Sequence, residues 1–256
     1  MSARRARAHD HDASGDAEVL AAKRALRQEV WSRMQQEGAA RFPGAENRIP
    51  NFIAAEAAAE RLRGSDEWQR AATLKANPDS PQLPVRQRAL EDGKTVFMAV
   101  PRLAAEQPFF LLDPVRLTVT PRQAASIKGA STYGQPVDID QLQPVDLVVA
   151  GCVAVSPNGS RLGKGGGFSD LEYAIAWEAG LIGPDTVVAT TVHETQVVDN
   201  GRIPLAAHDF WLDVIVTPER LIKCRRRASK TPPHIHWNEL SVEKQASIPL
   251  LSRLAH

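Results

Sequence analysis

Residues 145–155 form an almost unbroken apolar run, and a glycine-rich turn follows within a few positions. Such a run has no polar face. It reads as a central strand of a parallel sheet, buried on both sides, because a strand with one wet face alternates. The next stretch is Arg161-Leu162-Gly163-Lys164-Gly165-Gly166-Gly167-Phe168-Ser169-Asp170-Leu171-Glu172, with four glycines in five positions. Ser169-x-x-Glu172 has the form of a capping box and predicts a helix start. Strand, glycine loop and helix together make an anion site, because free amides and the positive helix end converge there. Arg161 and Lys164 add full charges. The plain alternative is a flexible surface loop with no ligand.

The loop fits neither common phosphate motif. A P-loop needs Gly where Asn158 stands and Ser or Thr where Gly165 stands. The dinucleotide pattern started at Gly163 needs Gly where Phe168 stands.

Around this segment the periodicity alternates. Helices are expected over 17–42, on Leu20, Leu26, Val30 and Met34, and over 52–63, ending at Gly64. A third is expected between Ser80-Pro81 and Asp92-Gly93, and another around 170–179. Strands are expected over 95–100, 109–112, 187–192 and 213–217. Strand–helix alternation implies a three-layer α/β/α sandwich on a mainly parallel sheet. The organisation expected is a disordered leader at 1–16, one α/β domain at 17–220, and an irregular tail at 221–256 packed on it.

The charge balance narrows the function. Lys and Arg number 31 against 30 Asp and Glu, so bulk electrostatic binding of nucleic acid is disfavoured. Cys152 and Cys224 are too few for a disulfide scaffold and fit a reducing compartment. No run approaches the roughly 20 apolar residues that cross a bilayer. Met1-Ser2-Ala3-Arg4-Arg5 is not followed by an apolar stretch, so no signal peptide is expected. The reading is a soluble cytoplasmic chain, taken as a monomer.

Smaller signals have ordinary readings beside them. Lys223-Cys224-Arg225-Arg226-Arg227, with Lys230, is a solvated face, a phosphate-facing edge, or an RNA contact. Next to those cations the Cys224 thiol is expected to have a lowered pKa. Cys152 reads as an inert core thiol. His9 and His11, and His234 with His236, have metal-like spacing but no third ligand. His193-Glu194 offers acid–base groups at a strand end or a structural turn.

Val145-Asp146-Leu147-Val148-Val149, Gly151, Val153-Ala154, Gly159-x-Arg161-Leu162-Gly163-Lys164-Gly165-Gly166-Gly167 and Asp170 resemble the signature of the 5-formyltetrahydrofolate cyclo-ligase family, also called methenyltetrahydrofolate synthetases. Lys23-Arg24-Ala25-Leu26-Arg27 is similar to that family's N-terminal Lys-x-x-Leu-Arg element. Gly134-Gln135-Pro136 matches its Glu-Pro turn; Thr195-Gln196, Ile203-Pro204, His208-Asp209 and 214–217 match its closing stretch. Asn77-Pro78-Asp79-Ser80-Pro81-Gln82-x-Pro84-Val85-Arg86 resembles a divergent branch, the methenyltetrahydrofolate synthetase domain-containing proteins.

The resemblance implies an ATP- and magnesium-dependent ligase. The formyl oxygen of 5-formyltetrahydrofolate attacks the γ-phosphate of ATP, N10 attacks the resulting intermediate, and phosphate leaves to give 5,10-methenyltetrahydrofolate. By the same resemblance, Lys23, Arg27, Arg161, Leu162, Gly163, Lys164, Gly165, Gly166, Gly167, Phe168 and Ser169 bind ATP. Lys164, Gly165, Gly166, Gly167 and Phe168 also face the reduced folate. Lys164 and Arg161 serve catalysis, and Asp170 and Asp209 hold magnesium. Three departures stand out. The family's Tyr-Tyr before the aspartate is Phe168-Ser169 here, its folate-side Glu-x-x-Thr is replaced by the proline-rich stretch 77–86, and Gln135 replaces a Glu. These motivate a second reading, a non-catalytic nucleotide- or folate-binding or RNA-associated paralogue.

Overall fold

The computed structural model describes residues 2–224 and 233–255, with side chains from Ala17 onward. Arg225, Arg226, Arg227 and Lys230 of the basic cluster lie outside the described residues. So do the side chains of the expected leader at 1–16, His9 and His11 included.

The strands are β1 (Thr73–Ala76), β2 (Thr95–Ala99), β3 (Phe109–Leu112), β4 (Gln135–Val137), β5 (Leu147–Val149), β6 (Ala154–Val155), β7 (Arg161–Leu162), β8 (Val187–Thr191), β9 (Val214–Val216) and β10 (Leu221–Lys223). The helices are α1 (Ser2–Gln36), α2 (Ala55–Arg63), α3 (Asp66–Arg70), α4 (Leu83–Glu91), α5 (Pro121–Ala124), α6 (Ile127–Tyr133), α7 (Phe168–Glu178), α8 (Val242–Ala246) and α9 (Pro249–Leu254). Eight strands form one sheet in the order β10-β9-β8-β5-β1-β2-β3-β4. The five from β9 to β2 are mutually parallel, and β10, β3 and β4 add antiparallel edges. Pro136 is tolerated in β4 because that strand is an edge and its missing N–H costs no ladder bond.

Side chains alternate between the two faces with the strand period of two. Leu74, Ala76, Val96, Met98, Leu147 and Val149 pack under α2, α4, α5 and α6. Phe97, Val148, Val188 and Ile215 face the other way, against Tyr173 and Ala176 of α7. Ala99 and Phe109 meet Leu171, Ala174 and Ile175 of α7 together with Ile235, Ile248, Leu250 and Leu251 from the end of the chain. This is the expected three-layer sandwich. Helix α1 lies beside it, with Leu26, Val30, Trp31 and Met34 packed on Phe52, Ala154 and Leu162. Leu20, also expected on that apolar stripe, is exposed.

Two expectations need correction. Residues 145–155 are not one strand. The chain leaves the sheet after Val149 and re-enters pairing only in β6, which joins β7 in a separate two-stranded ribbon. The interruption is at Gly151, where an added Cβ would stand 2.9 Å from Asp79 Oδ2. The released backbone is satisfied by side chains. Gly151 N–H donates to Asn77 Oδ1 at 3.1 Å, and the Gln196 amide donates to the carbonyls of Cys152 and Val153 at 2.9 and 3.1 Å. The run is apolar because helices cover it where the sheet does not: α1 packs on Val153 and Ala154, and α7 with Phe210 on Ala150, Cys152 and Val155.

The Ser169–Glu172 capping box does not form either. Helix α7 is capped by Gly167 in the left-handed conformation, φ 64°, with no side-chain cap. Glu172 turns inward instead, accepting from Lys75 Nζ at 2.5 Å and from Asn77 Nδ2 at 3.2 Å. A buried lysine on a central strand claims the carboxylate more strongly than an amide at a wet helix end does.

Helix α4 crosses from β1 to β2 on one face, and α7 crosses from β5 to β8 on the other. The chain therefore changes direction between β1 and β5. In open α/β sheets that switch point, at the carboxyl ends of the strands, is where a crevice opens for ligands.

Candidate functional site

The glycine loop reaches this crevice from ribbon β6–β7, with α7 beginning at its far end. Gly165 and Gly167 take φ of +105° and +64°, values that side-chain-bearing residues rarely adopt. A Cβ on Gly165 would also press on the Arg27 guanidinium, 3.4 Å away.

Arg27 comes from α1, and so does Lys23, one turn earlier on the same face. Arg27 Nε donates to the Gly163 carbonyl at 2.7 Å. Lys23 Nζ pairs with Asp209 Oδ2 at 2.5 Å, and Ala206 N–H donates to the same oxygen at 2.7 Å. Both cations are buried. Burial draws the Arg27 guanidinium below its ordinary pKa, against the pull of Asp209.

Arg161 lies beneath the loop, with 2% of its side chain exposed. One nitrogen, Nη2, pairs with Asp170 on α7. Its guanidinium carbon stands 3.7 Å over the Phe210 ring, which stacks on Tyr173 at 4.4 Å. Its Nε and Nη1 are buried without a hydrogen-bond partner. Burial opposes its charge, but the Asp170 carboxylate, supported by Asp209, outweighs it and raises the pKa. Two unused donors on a permanently charged, buried guanidinium are costly unless something accepts from them.

Lys164, half exposed, points across the crevice to Asp79 Oδ1 at 3.3 Å. Asp79 sits in the turn after β1, and Arg86 of α4 clamps that turn from within. Its Nη1 and Nη2 donate to the carbonyls of Asn77, Pro78 and Asp79, and Nε donates to Ala125 O at 2.8 Å. Full burial brings the Arg86 pKa down to about 10. Lys244 of α8 completes the rim, donating to Gly166 O at 2.9 Å.

The expected site residues thus come together. Lys23, Arg27 and Arg161 converge under and beside the loop formed by Leu162, Gly163, Lys164, Gly165, Gly166, Gly167, Phe168 and Ser169. Asp170 and Asp209 flank the same cations. Lys23, Arg27, Arg161, Lys164 and Lys244 face Asp79, Asp170 and Asp209, an excess of two positive charges in a chain whose formal net charge is +1. Such an arrangement suits a multiply charged anion.

A profile of the 5-formyltetrahydrofolate cyclo-ligase family matches residues 17–218, covering the glycine loop and both Asp170 and Asp209. The chain belongs to this family. Among curated relatives, the methenyltetrahydrofolate synthase domain-containing protein of Bos taurus is 39% identical over 236 residues, 91% of this chain and 62% of that one. The Homo sapiens protein of the same name is 36% identical over 238 residues, 92% of this chain and 62% of that one. The chain therefore spans less than two thirds of the length of these relatives. The solved 5,10-methenyltetrahydrofolate synthetase of Aquifex aeolicus superposes with a TM-score of 0.52 at 20% identity, over 84% of this chain and 98% of that one. That likeness carries the cyclo-ligase fold.

Lys75 and Lys244 were not singled out by the sequence, and Asn77, Asp79 and Glu172 stood out only as parts of the proline-rich stretch and the capping box. Lys75 carried a usable signal, a lone cation amid Leu74 and Ala76; Lys244 carried none. Other expected groups are elsewhere. His193 caps the short turn at 194–196, its Nδ1 accepting from Thr195 N–H at 3.2 Å, and Glu194 pairs with Arg220 at 2.9 Å. Among the described residues no three His, Cys, Asp or Glu side chains are grouped to hold a metal, so His234 and His236 gain no third ligand. No described helix is long and apolar enough to cross a membrane. A cavity of about 440 Å³ opens at the opposite end of the sheet between Glu67, Asp146 and Asp185 and shares no residue with the loop. It lies at the strand starts, with Arg70 as the one cation in its lining.

Cys224 departs from expectation. Burial, reinforced by Asp213, pushes its thiol up to about 12 rather than down. Burial also raises Cys152. Both thiols are expected to resist a maleimide at pH 8 in the native protein and to react within minutes once guanidinium unfolds it, as read by mass spectrometry.

Proposed function

We propose that the chain is an ATP- and magnesium-dependent cyclo-ligase that converts 5-formyltetrahydrofolate to 5,10-methenyltetrahydrofolate. The observation that carries this reading is Arg161, a buried guanidinium with two unused donors beneath a glycine loop. Phosphoryl transfer needs little covalent help from a protein; it needs positioned donors and cations where charge develops. In the proposed mechanism the amides of Gly165, Gly166 and Gly167, with Lys23, Arg27 and Arg161, hold the ATP phosphates. Lys164 neutralises the transferring group as the formyl oxygen attacks the γ-phosphorus and ADP leaves, and Phe168 stacks against the folate ring. Asp79 stands opposite Lys164 and keeps it extended across the crevice until the phosphate takes its place.

The residues fit magnesium. Asp170 and Asp209 are hard oxygen donors, and magnesium takes one or two carboxylates, keeping water and substrate phosphate as its other ligands. When bound it would neutralise phosphate charge. Each keeps one oxygen, Asp170 beyond its bond to Arg161 and Asp209 beyond the bonds that Lys23 and the Ala206 N–H make to Oδ2. A cytoplasmic setting suits the two free thiols.

The direct test is purified protein with 5-formyltetrahydrofolate, ATP and magnesium, followed by the absorbance of the methenyl product. Product that needs all three reactants supports the reading. ATP binding without product would leave the non-catalytic paralogue in its place. Asp170→Asn and Lys164→Ala are each expected to lower turnover at least tenfold, about 1.4 kcal/mol in the barrier. Lys164→Ala should leave the melting temperature unchanged, because its half-exposed side chain supports no core.

A further inference from the structure

Residues 233–255 lie beyond the family match, yet they return to the glycine loop. Ile235, Ile248, Leu250 and Leu251 anchor the segment in the core against α7. Glu239 Oε2 meets His208 Nδ1 at 2.5 Å, next to Asp209. Ser241 caps α8, accepting from Lys244 N–H at 3.2 Å. Lys244 is therefore presented from a fixed backbone.

Its ammonium occupies an unusual position. It donates to Gly166 O at 2.9 Å and lies 4.9 Å from the centre of the Phe168 ring. A Cβ on Gly167, the cap of α7, would come within 3.1 Å of Nζ. The cation thus stands over the amino end of a helix, where a positive charge is unfavourable and an anion is favoured. One bond uses one of its three protons and leaves two to donate. On the underside of the same loop, Arg161 Nη1 is buried, unpartnered, and 3.4 Å from the Cβ position of Gly163. Two cations, above and below one glycine loop, both hold unused donors at a helix N-terminus. An anion seated on the loop would satisfy both and remove the conflict with the helix dipole.

We propose that Lys244 is a phosphate-binding residue, supplied by the segment after the family match to the polyphosphate of a bound nucleotide. The proposal rests on the nucleotide reading of the loop. It makes the end of the chain part of the site rather than a tail beside it. Burial lowers the Lys244 pKa, with Asp170 opposing that shift, which agrees with a cation placed close to the Asp170 carboxylate.

The test is calorimetric titration of the full chain, wild type, Lys244→Gln and Lys244→Arg, with ATP, AMP and inorganic tripolyphosphate. Lys244→Gln is expected to bind ATP and tripolyphosphate about tenfold more weakly, and AMP within about twofold of wild type. Lys244→Arg should keep ATP affinity within about threefold, because the guanidinium still donates. Unchanged ATP and tripolyphosphate affinity in Lys244→Gln, with wild type binding both, overturns the role of Lys244 and leaves the nucleotide reading standing. An equal loss for ATP and AMP also overturns it, because the contact would then not be to the outer phosphates. A wild type that binds neither ATP nor tripolyphosphate removes both.

Discussion

An Arg161→Met variant is expected to form methenyl product about a thousandfold more slowly than wild type, roughly 4 kcal/mol in the barrier. The methionine side chain ends near the Nε position, so it keeps the apolar stem and leaves the guanidinium's place over Phe210 partly open. What is lost is a fixed charge and two buried, unpartnered donors, of which Nη1 lies beside Gly163 of the loop. Asp170 loses its partner too, but it lies at the rim and can take water. The folded state should therefore survive, with a melting temperature lowered by only a few degrees. Arg161→Lys separates charge from geometry. A lysine keeps the charge but cannot donate from two planar positions at once, so it should recover no more than about a tenth of the lost rate. Product absorbance at saturating ATP, together with ATP titration, reads both. A Met variant within tenfold of wild type would exclude Arg161 from the phosphate site.

The second large effect is on stability. Lys75→Met should destabilise the protein by about 3–5 kcal/mol, because it leaves the Glu172 carboxylate buried against apolar neighbours with only Asn77 donating to it. Removing both charges is a different matter. Lys75→Met with Glu172→Leu should recover most of that loss, because a buried pair gains little over apolar residues of the same volume. Urea unfolding of the two single variants and the double variant gives the coupling directly. Additive losses would mean that the two groups do not act as a pair.

The layers of the fold were legible in the sequence because its longer strands and helices carry clean periods. β3 was readable to the residue, and α4 and α7 nearly so. The strand beside the crevice was not. β1 is four residues long with Lys75 inside it, and a charge in a short apolar stretch argues against burial unless its partner is known. That partner, Glu172, was legible only as half of a capping box, since Ser-x-x-Glu looks the same whether the carboxylate turns outward to the backbone or inward to a lysine 97 residues away. The apolar run at 145–155 misled for a related reason. Apolarity reports that a segment is covered, not whether a sheet or a helix covers it. The glycine loop and its cations were visible as spacing, whereas Lys244 had no local pattern, because what matters about it is tertiary.

The ion pair between Lys23 and Asp209 joins residues 186 positions apart. On a ribosome adding roughly 5–20 residues each second, α1 would wait about ten to forty seconds for that partner. Val30, Trp31 and Met34 lack Leu162, and Arg27 lacks Gly163, for most of that interval. Helix α1 thus meets Phe52 early but completes its packing late, with part of its apolar stripe open to other chains meanwhile. Synthesis of this protein should therefore depend on a chaperone that shields the nascent amino-terminal helix until the sheet behind it is complete.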